Sequence, residues 1–311
     1  MNRVTFINRV LFVCAVALAV GIGGISATGS EAESRPLRVV GSDLLGDDFA
    51  NALRASLAGV RSAASSEKQA DALEMRLEGS LPAVRALSRG DADAALIFAG
   101  SGEERGGASL AGYERVPFAH LVVVALVAED APIRETSLPT LARIFGAGEA
   151  TRVRRWSDLG VTDAAADRQI QPLVAGAADD IALAFFFERV LDGEQPGRHV
   201  ERLDAPTRLA ERLGRGRDGF GVARWSSTST GSRARALALA SADGRDAHAP
   251  TPISVATGDY PLAIALEVVF PAENAAAVRP LIAALSDPRA SAALSAAGFL
   301  PVTRDASAER P

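Results

Sequence analysis

The chain is poor in the residues that staple, ligate or catalyse. Its one cysteine, Cys14, lies in an apolar run near the N-terminus, so no disulfide can form within the chain. The three histidines, His120, His199 and His248, are far apart and show no H-E-x-x-H or other zinc spacing, so each reads as a surface or core residue. The motif G-x-S-x-G is absent, and no Ser-His-Asp constellation can be assembled. No enzyme, metal site or cofactor is therefore expected. Positive charge is not in excess either. The formal net charge is −5 at pH 7, which argues against nucleic acid, because phosphate backbones need clustered Lys and Arg. Lysine is nearly missing: Lys68 is the only one, and the arginines that replace it are spread along the chain. That skew reads as compositional bias rather than as a binding patch. Past residue 25 no apolar run is long enough to span a bilayer.

What is present is a chain of 311 residues, 48% hydrophobic and 23% charged, which is enough for two ordinary domains with a sizeable core. The N-terminus has the three parts of an export signal: Arg3 and Arg9, then the apolar run from Val10 to Ile25, then small and polar residues from Ser26 to Ala32. Removal of residues 1–32, with cleavage between Ala27 and Glu33, is the expectation; an uncleaved membrane anchor is the alternative. Val13 before Cys14 does not suit a lipoprotein site. The mature chain is expected in the periplasm or outside the cell.

Apolar spacing predicts alternating strands and helices, hence an α/β fold. Leu37 to Val40 reads as a strand ending at Gly41-Ser42, followed by a helix with Leu45, Phe49, Leu53 and Leu57 on one face. A second helix opens at Pro82. Asp91 to Phe98 and His120 to Val127 read as strands, the second an unbroken apolar run suited to a buried sheet. Helices are expected at Leu138 to Phe145, Asp179 to Leu191 and Thr207 to Leu213, strands at Phe220 to Ala223 and Leu262 to Phe270, and two Ala-rich helices between Ala276 and Ala297, divided at Asp287-Pro288. Gly214 to Gly219 matches G-x-G-x-x-G literally, but a helix precedes it and a strand follows, so it reads as a loop rather than a dinucleotide site. Arg152, Arg154 and Arg155 read as a solvated face, and Trp156 as a packing residue.

Several stretches, in order, resemble the phosphate-binding proteins of ABC phosphate transporters. They are Val40-Gly41-Ser42-Asp43-Leu44; Gly79-Ser80; Gly90-Asp91-Ala92-Asp93-Ala94; Leu141-x-x-Ile144-Phe145-Gly146-x-Gly148 with Trp156-Ser157-Asp158-Leu159-Gly160; Gly258-Asp259-Tyr260-Pro261-Leu262; and Leu285 to Pro288 with Ala297 to Val302. The resemblance implies a two-lobed type II periplasmic binding fold with two hinge crossovers. Lobe 1 is expected at residues 36–120 plus 260–311, and lobe 2 at residues 121–259. It implies an extracytoplasmic solute-binding protein, monomeric, that holds phosphate or a similar oxyanion and delivers it to the membrane subunits of an ABC permease.

In such a site backbone N–H groups at helix N-termini point into the cleft and bind an oxyanion, aided by the helix dipole. Ser42, Asp43 and Leu44 are the candidates at the first helix, and Gly79 and Ser80 at the second; simple N-capping is the alternative for both serines. The third helix start departs from the family. Gln171 to Ile181 lacks the arginine expected before a Ser-Gly-Thr, and Asp179 and Asp180 stand about where Ser-Gly would be. An acidic ligand expected after the third strand falls near Phe98. Two like charges about 4 Å apart repel by roughly 4 kcal/mol at an effective dielectric near 20, which is about a thousandfold in affinity. Phosphate binding is therefore expected to be weak, with a cationic or neutral solute as the sharper expectation. The alternative from another class is a scaffold or sensor with a decayed pocket and a protein partner.

Overall fold

The computed structural model describes residues 35–64, 73–101, 110–177, 179–216, 218–225 and 233–302. The segment read as an export signal and most of the Gly100–Gly107 loop lie outside the described residues. Strand β1 (Leu37–Gly41) runs through a 3-10 turn (Asp43–Leu45) into helix α1 (Gly46–Ala64). β2 (Leu73–Leu77), α2 (Ser80–Ser88), β3 (Ala94–Phe98) and the long β4 (Tyr113–Ala128) follow. Next come β5 (Glu135–Ser137), α3 (Leu138–Phe145), a 3-10 turn (Trp156–Leu159), β6 (Gln171–Ala175) and α4 (Ile181–Leu191). β7 (Glu201–Leu203), α5 (Pro206–Arg215), β8 (Gly219–Arg224), β9 (Ala234–Ala236) and β10 (Ala238–Ala240) continue the chain. α6 (Pro252–Ala256), β11 (Ala263–Pro271), α7 (Ala275–Leu285), α8 (Pro288–Ala296) and β12 (Leu300–Pro301) end it.

One sheet carries the strand order β2-β1-β3-β11-β4-β8-β6-β7, with β12 and β9 also on β4, while β10 and β5 pair apart. β1 lies parallel between β2 and β3, and β6 parallel between β7 and β8. β4 joins the two halves. Its residues Tyr113–Val122 pair antiparallel with β11, and Val123–Val127 pair antiparallel with β8. At that changeover the buried Tyr260 hydroxyl donates to the Val123 carbonyl at 2.9 Å.

The side-chain period of two puts alternate residues of β1 and β3 on opposite faces. Val39, Ala94, Leu96 and Phe98 meet the α1 side, where Phe49, Leu53 and Leu57 pack. Val40, Ala95 and Ile97 meet Ala83, Val84 and Leu87 of α2. Both faces are covered, which is why β3 is apolar throughout. In the other half, Phe145, Phe186, Phe220 and Trp156 form an aromatic cluster with neighbouring centroids 5.4 to 6.4 Å apart. Helix α5 lies against β8 so closely that a Cβ on Gly221 would stand 2.5 Å from a Leu209 methyl, which explains the glycines alternating along β8. Gly214 to Gly219 does join α5 to β8.

Candidate functional site

β1, β2, β6 and β7 each end on a short turn that starts a helix, and in such sheets ligands bind outside the strand carboxyl ends. In the first half β1 ends at Gly41. The Ser42 N–H donates to the Leu96 carbonyl at 2.9 Å, and its hydroxyl, 2% exposed with its residue, accepts the Leu44 N–H at 3.4 Å. Ser42 thus caps the turn that holds Asp43 exposed and Leu44 half-buried. The Gly79 N–H donates to the Gly41 carbonyl at 3.0 Å, so the loop after β2 is tied to the end of β1. Gly79 has φ 116°, open only to glycine without strain, and a Cβ there would lie 4.0 Å from an Asp43 carboxylate oxygen. Ser42, Asp43, Leu44, Gly79 and Ser80 therefore form one cluster. Helix α2 has no side chain on its N-cap, and Pro82 carries no N–H, so the free donors of its first turn are those of Ser80 and Leu81.

In the second half α4 starts differently. Asp180 is its N-cap, and its Oδ1 accepts the Ala182 N–H at 2.8 Å. The same carboxylate lies over Gly176, where a Cβ would stand 2.6 Å from Oδ2. Asp179 is exposed beside it. Where a bound oxyanion would sit in a helix-dipole site, α4 thus carries a carboxylate of its own.

The sequence reading missed Arg224, the last residue of β8. Its Nε donates to the Gly298 carbonyl at 3.0 Å, and its guanidinium lies 4.3 Å over the Phe299 ring. Its Nη2 is buried with no hydrogen-bond partner among the described residues. Burial lowers its pKa, and the nearby Asp180 carboxylate works in the opposite sense. Phe299 in turn contacts Phe98 at 6.3 Å between centroids, so an Arg-Phe-Phe wall joins β8 to β3. Through Leu96 and Phe98 this wall connects with the turn at Ser42. The aromatic side chain at position 98 is a buried part of that wall. A signal for Arg224 does exist in the sequence: it follows the apolar run Phe220–Ala223, at the carboxyl end of a parallel strand.

The remaining motif residues hold structure. Asp158 accepts the Arg154 and Arg155 N–H groups at 2.8 and 2.9 Å, which closes the turn at the buried Trp156. Asp93, whose side chain is 6% exposed, binds Arg35 at 2.8 Å and Arg38 at 3.1 Å. Arg152 and Arg154 pair with Glu149, and Arg155 with Asp167, on the surface. His199 meets the Ile144 carbonyl at 3.0 Å.

The overall fold recurs in solved structures. PstS from Borrelia burgdorferi superposes with a TM-score of 0.67 at 13% identity, covering 87% of this chain and 100% of that one. The possible phosphate binding protein from Planctomyces limnophilus gives 0.60 at 15% identity, with 86% and 93% covered. An ABC-type phosphate transport receptor from Vibrio cholerae gives 0.57 at 15% identity, with 85% and 99% covered. The chain has the type II periplasmic-binding-protein fold. No family model matches the sequence, and no curated protein does. The type II fold is thus common to these chains. Among the described residues no helix is long and apolar enough to cross a membrane.

Proposed function

We propose that the chain is a solute-binding protein which takes a small anion or zwitterion at the strand ends, between Arg224 and the open N-terminus of α2. The observation that carries this reading is the buried Arg224 Nη2 with no partner. A charged donor held out of water and left unmade is costly, and a carboxylate or similar group restores the lost bonds in charge-assisted form. The likeness to proteins described as phosphate binding and phosphate transport receptors favours an oxyanion and hand-over to an ABC permease after export. Asp180 and Asp43 oppose a doubly charged ligand, so phosphate itself is bound weakly. Binding closes the two halves over the solute, because only the closed form offers both sets of donors. No chemical step is assigned to the chain.

A second reading has an observation of its own: Asp180 already satisfies α4, as it would in a scaffold or sensor that has lost its solute. Calorimetric titration of the mature chain with phosphate, sulfate and acetate separates the two. Saturable binding of a monovalent oxyanion, weakened about tenfold or more by Arg224→Gln through loss of a charged hydrogen bond, supports solute capture. Submicromolar phosphate binding overturns the weak-phosphate expectation, and no binding of any of them supports the scaffold.

A further inference from the structure

A cavity of about 1290 Å³ is bounded by β4 and β11, and Ser42, Ser80, Asp180 and Arg224 do not line it. Its floor is built from β4 and β11, at His120, Ala263, Ala265 and Glu267; its far wall is α4, at Phe185, Glu188 and Arg189. The segment from Ser241 to Tyr260 closes a third side. The volume exceeds the roughly 300–1,000 Å³ of an ordinary small-ligand pocket.

His120 is the unexplained group. It sits in the ladder between Ala265 and Leu300, is 9% exposed, and turns to this cavity. Neither ring nitrogen has a hydrogen-bond partner among the described residues. Burial depresses its pKa, so near neutrality the ring is uncharged and offers one donor and one acceptor. That pair suits an amide or a hydroxyl, not a strong ion. Charge is supplied at the rim instead. Arg189 and Arg245 stand there with Glu188, Asp192 and Asp246, and none of the five is held in an ion pair among the described residues. Glu267 is different, since Arg115 engages it at 3.4 Å. Free charges of both signs around a neutral polar floor match a molecule with an ammonium at one end, a carboxylate at the other and amides between.

We propose that this cavity is a second binding site, which takes a zwitterionic solute of short-peptide size and engages its amide groups through His120. The site is separate from that at Arg224 and does not rest on it.

Calorimetric titration of the mature chain with trialanine tests the proposal. Saturable binding is expected, weakened about tenfold or more by His120→Leu, as loss of one buried hydrogen bond requires. N-acetyl-trialanine amide, which lacks both end charges, should bind more weakly. If His120→Leu does not fold, the surface variant Arg189→Ala/Arg245→Ala must weaken trialanine by a similar factor. No binding of trialanine to the wild-type chain at millimolar concentration overturns the proposal, as does affinity unaltered by His120→Leu or by the surface variant. Competition by inorganic phosphate would also overturn it, since it would merge this cavity with the strand-end site.

Discussion

Two helices of this protein begin at strand ends, and they settle their first-turn N–H groups in opposite ways. Helix α2 starts at Gly79, which brings no side chain, so the Ser80 and Leu81 N–H groups have no cap. Helix α4 starts at Asp180, which takes the Ala182 N–H with its own carboxylate. An N-terminus of the first kind is ready to accept an anion. One of the second kind has been given its anion by the chain, and it repels another. The difference is one side chain, yet it places a negative charge at one helix start and none at the other. Positive charge near Asp180 comes from Arg224, at the end of β8.

The largest effect should come from making the second helix start like the first. Asp180→Ser with Asp179→Gly keeps an N-cap hydroxyl and removes two negative charges. At about 6 Å and an effective dielectric near 20, one such charge repels a monoanion by roughly 3 kcal/mol, so phosphate affinity should rise by about a hundredfold. Titration calorimetry at low salt reads this directly, and unchanged affinity would mean that α4 takes no part in binding. Serine retains most of the capping contribution of about 1 kcal/mol, so the melting temperature should hardly move.

A second contrast sets a satisfied charge against an unsatisfied one. Asp93, at the start of β3, accepts the Arg38 N–H and binds the guanidinium groups of Arg35 and Arg38. Burial pushes its carboxyl up, but these bonds and charges outweigh it and hold the pKa below the usual range. A depressed folded-state pKa means stability that is present above the ordinary carboxylate range and lost as pH falls through the folded value. Asp93→Ala should cost about 2 kcal/mol near neutrality, below the full penalty of a broken buried pair because both arginines can reach water. The gap between wild type and variant in urea unfolding should narrow below the carboxylate range. A gap constant with pH would mean that Asp93 acts through packing instead. Arg224, with no partner for its Nη2 among the described residues, is the group whose replacement should affect binding more than folding.

The parts of the fold that were legible are those fixed by neighbours in sequence. The α3 range is the one its apolar spacing predicts, because Ser137 caps it and Gly146 ends it. Trp156, expected to pack, is buried, beside a turn that Asp158 closes and Gly160, at φ 82°, ends. Strands whose signal depends on partners were not. β2 alternates half-buried and exposed residues on an edge, and in β6 Pro172 masks the strand. β4 was read from His120 but starts at Tyr113, because Pro117 and two charged residues interrupt the apolar run. The structure accommodates Pro117 at a shift of register opposite Leu266 and Glu267, where a missing N–H costs little. The site divides the same way. The turns at Ser42 and Gly79 were visible from local sequence, whereas Arg224 meets Gly298 and Phe299, and feels the Asp180 charge, only through the folded sheet.

The smallest effect separates backbone from side chain at α2. Two groups at position 80 can hold an anion, the N–H and the hydroxyl. The N–H direction is set by the helix, and the Gly79 N–H bond to the Gly41 carbonyl holds that helix in place. Ser80→Ala deletes the hydroxyl and leaves both free N–H groups of the first turn. If the helix start is what binds, oxyanion affinity should fall by less than about fivefold, the loss of one neutral hydrogen bond at the solvent edge. Gly79→Ala is the partner measurement, since a Cβ at φ 116° strains the turn that aims those donors. It should weaken binding more than Ser80→Ala does, although it removes no polar atom. The reverse order would mean that the hydroxyl, and not the amide pair, holds the ligand, and the contrast between α2 and α4 would then lose its basis in the backbone.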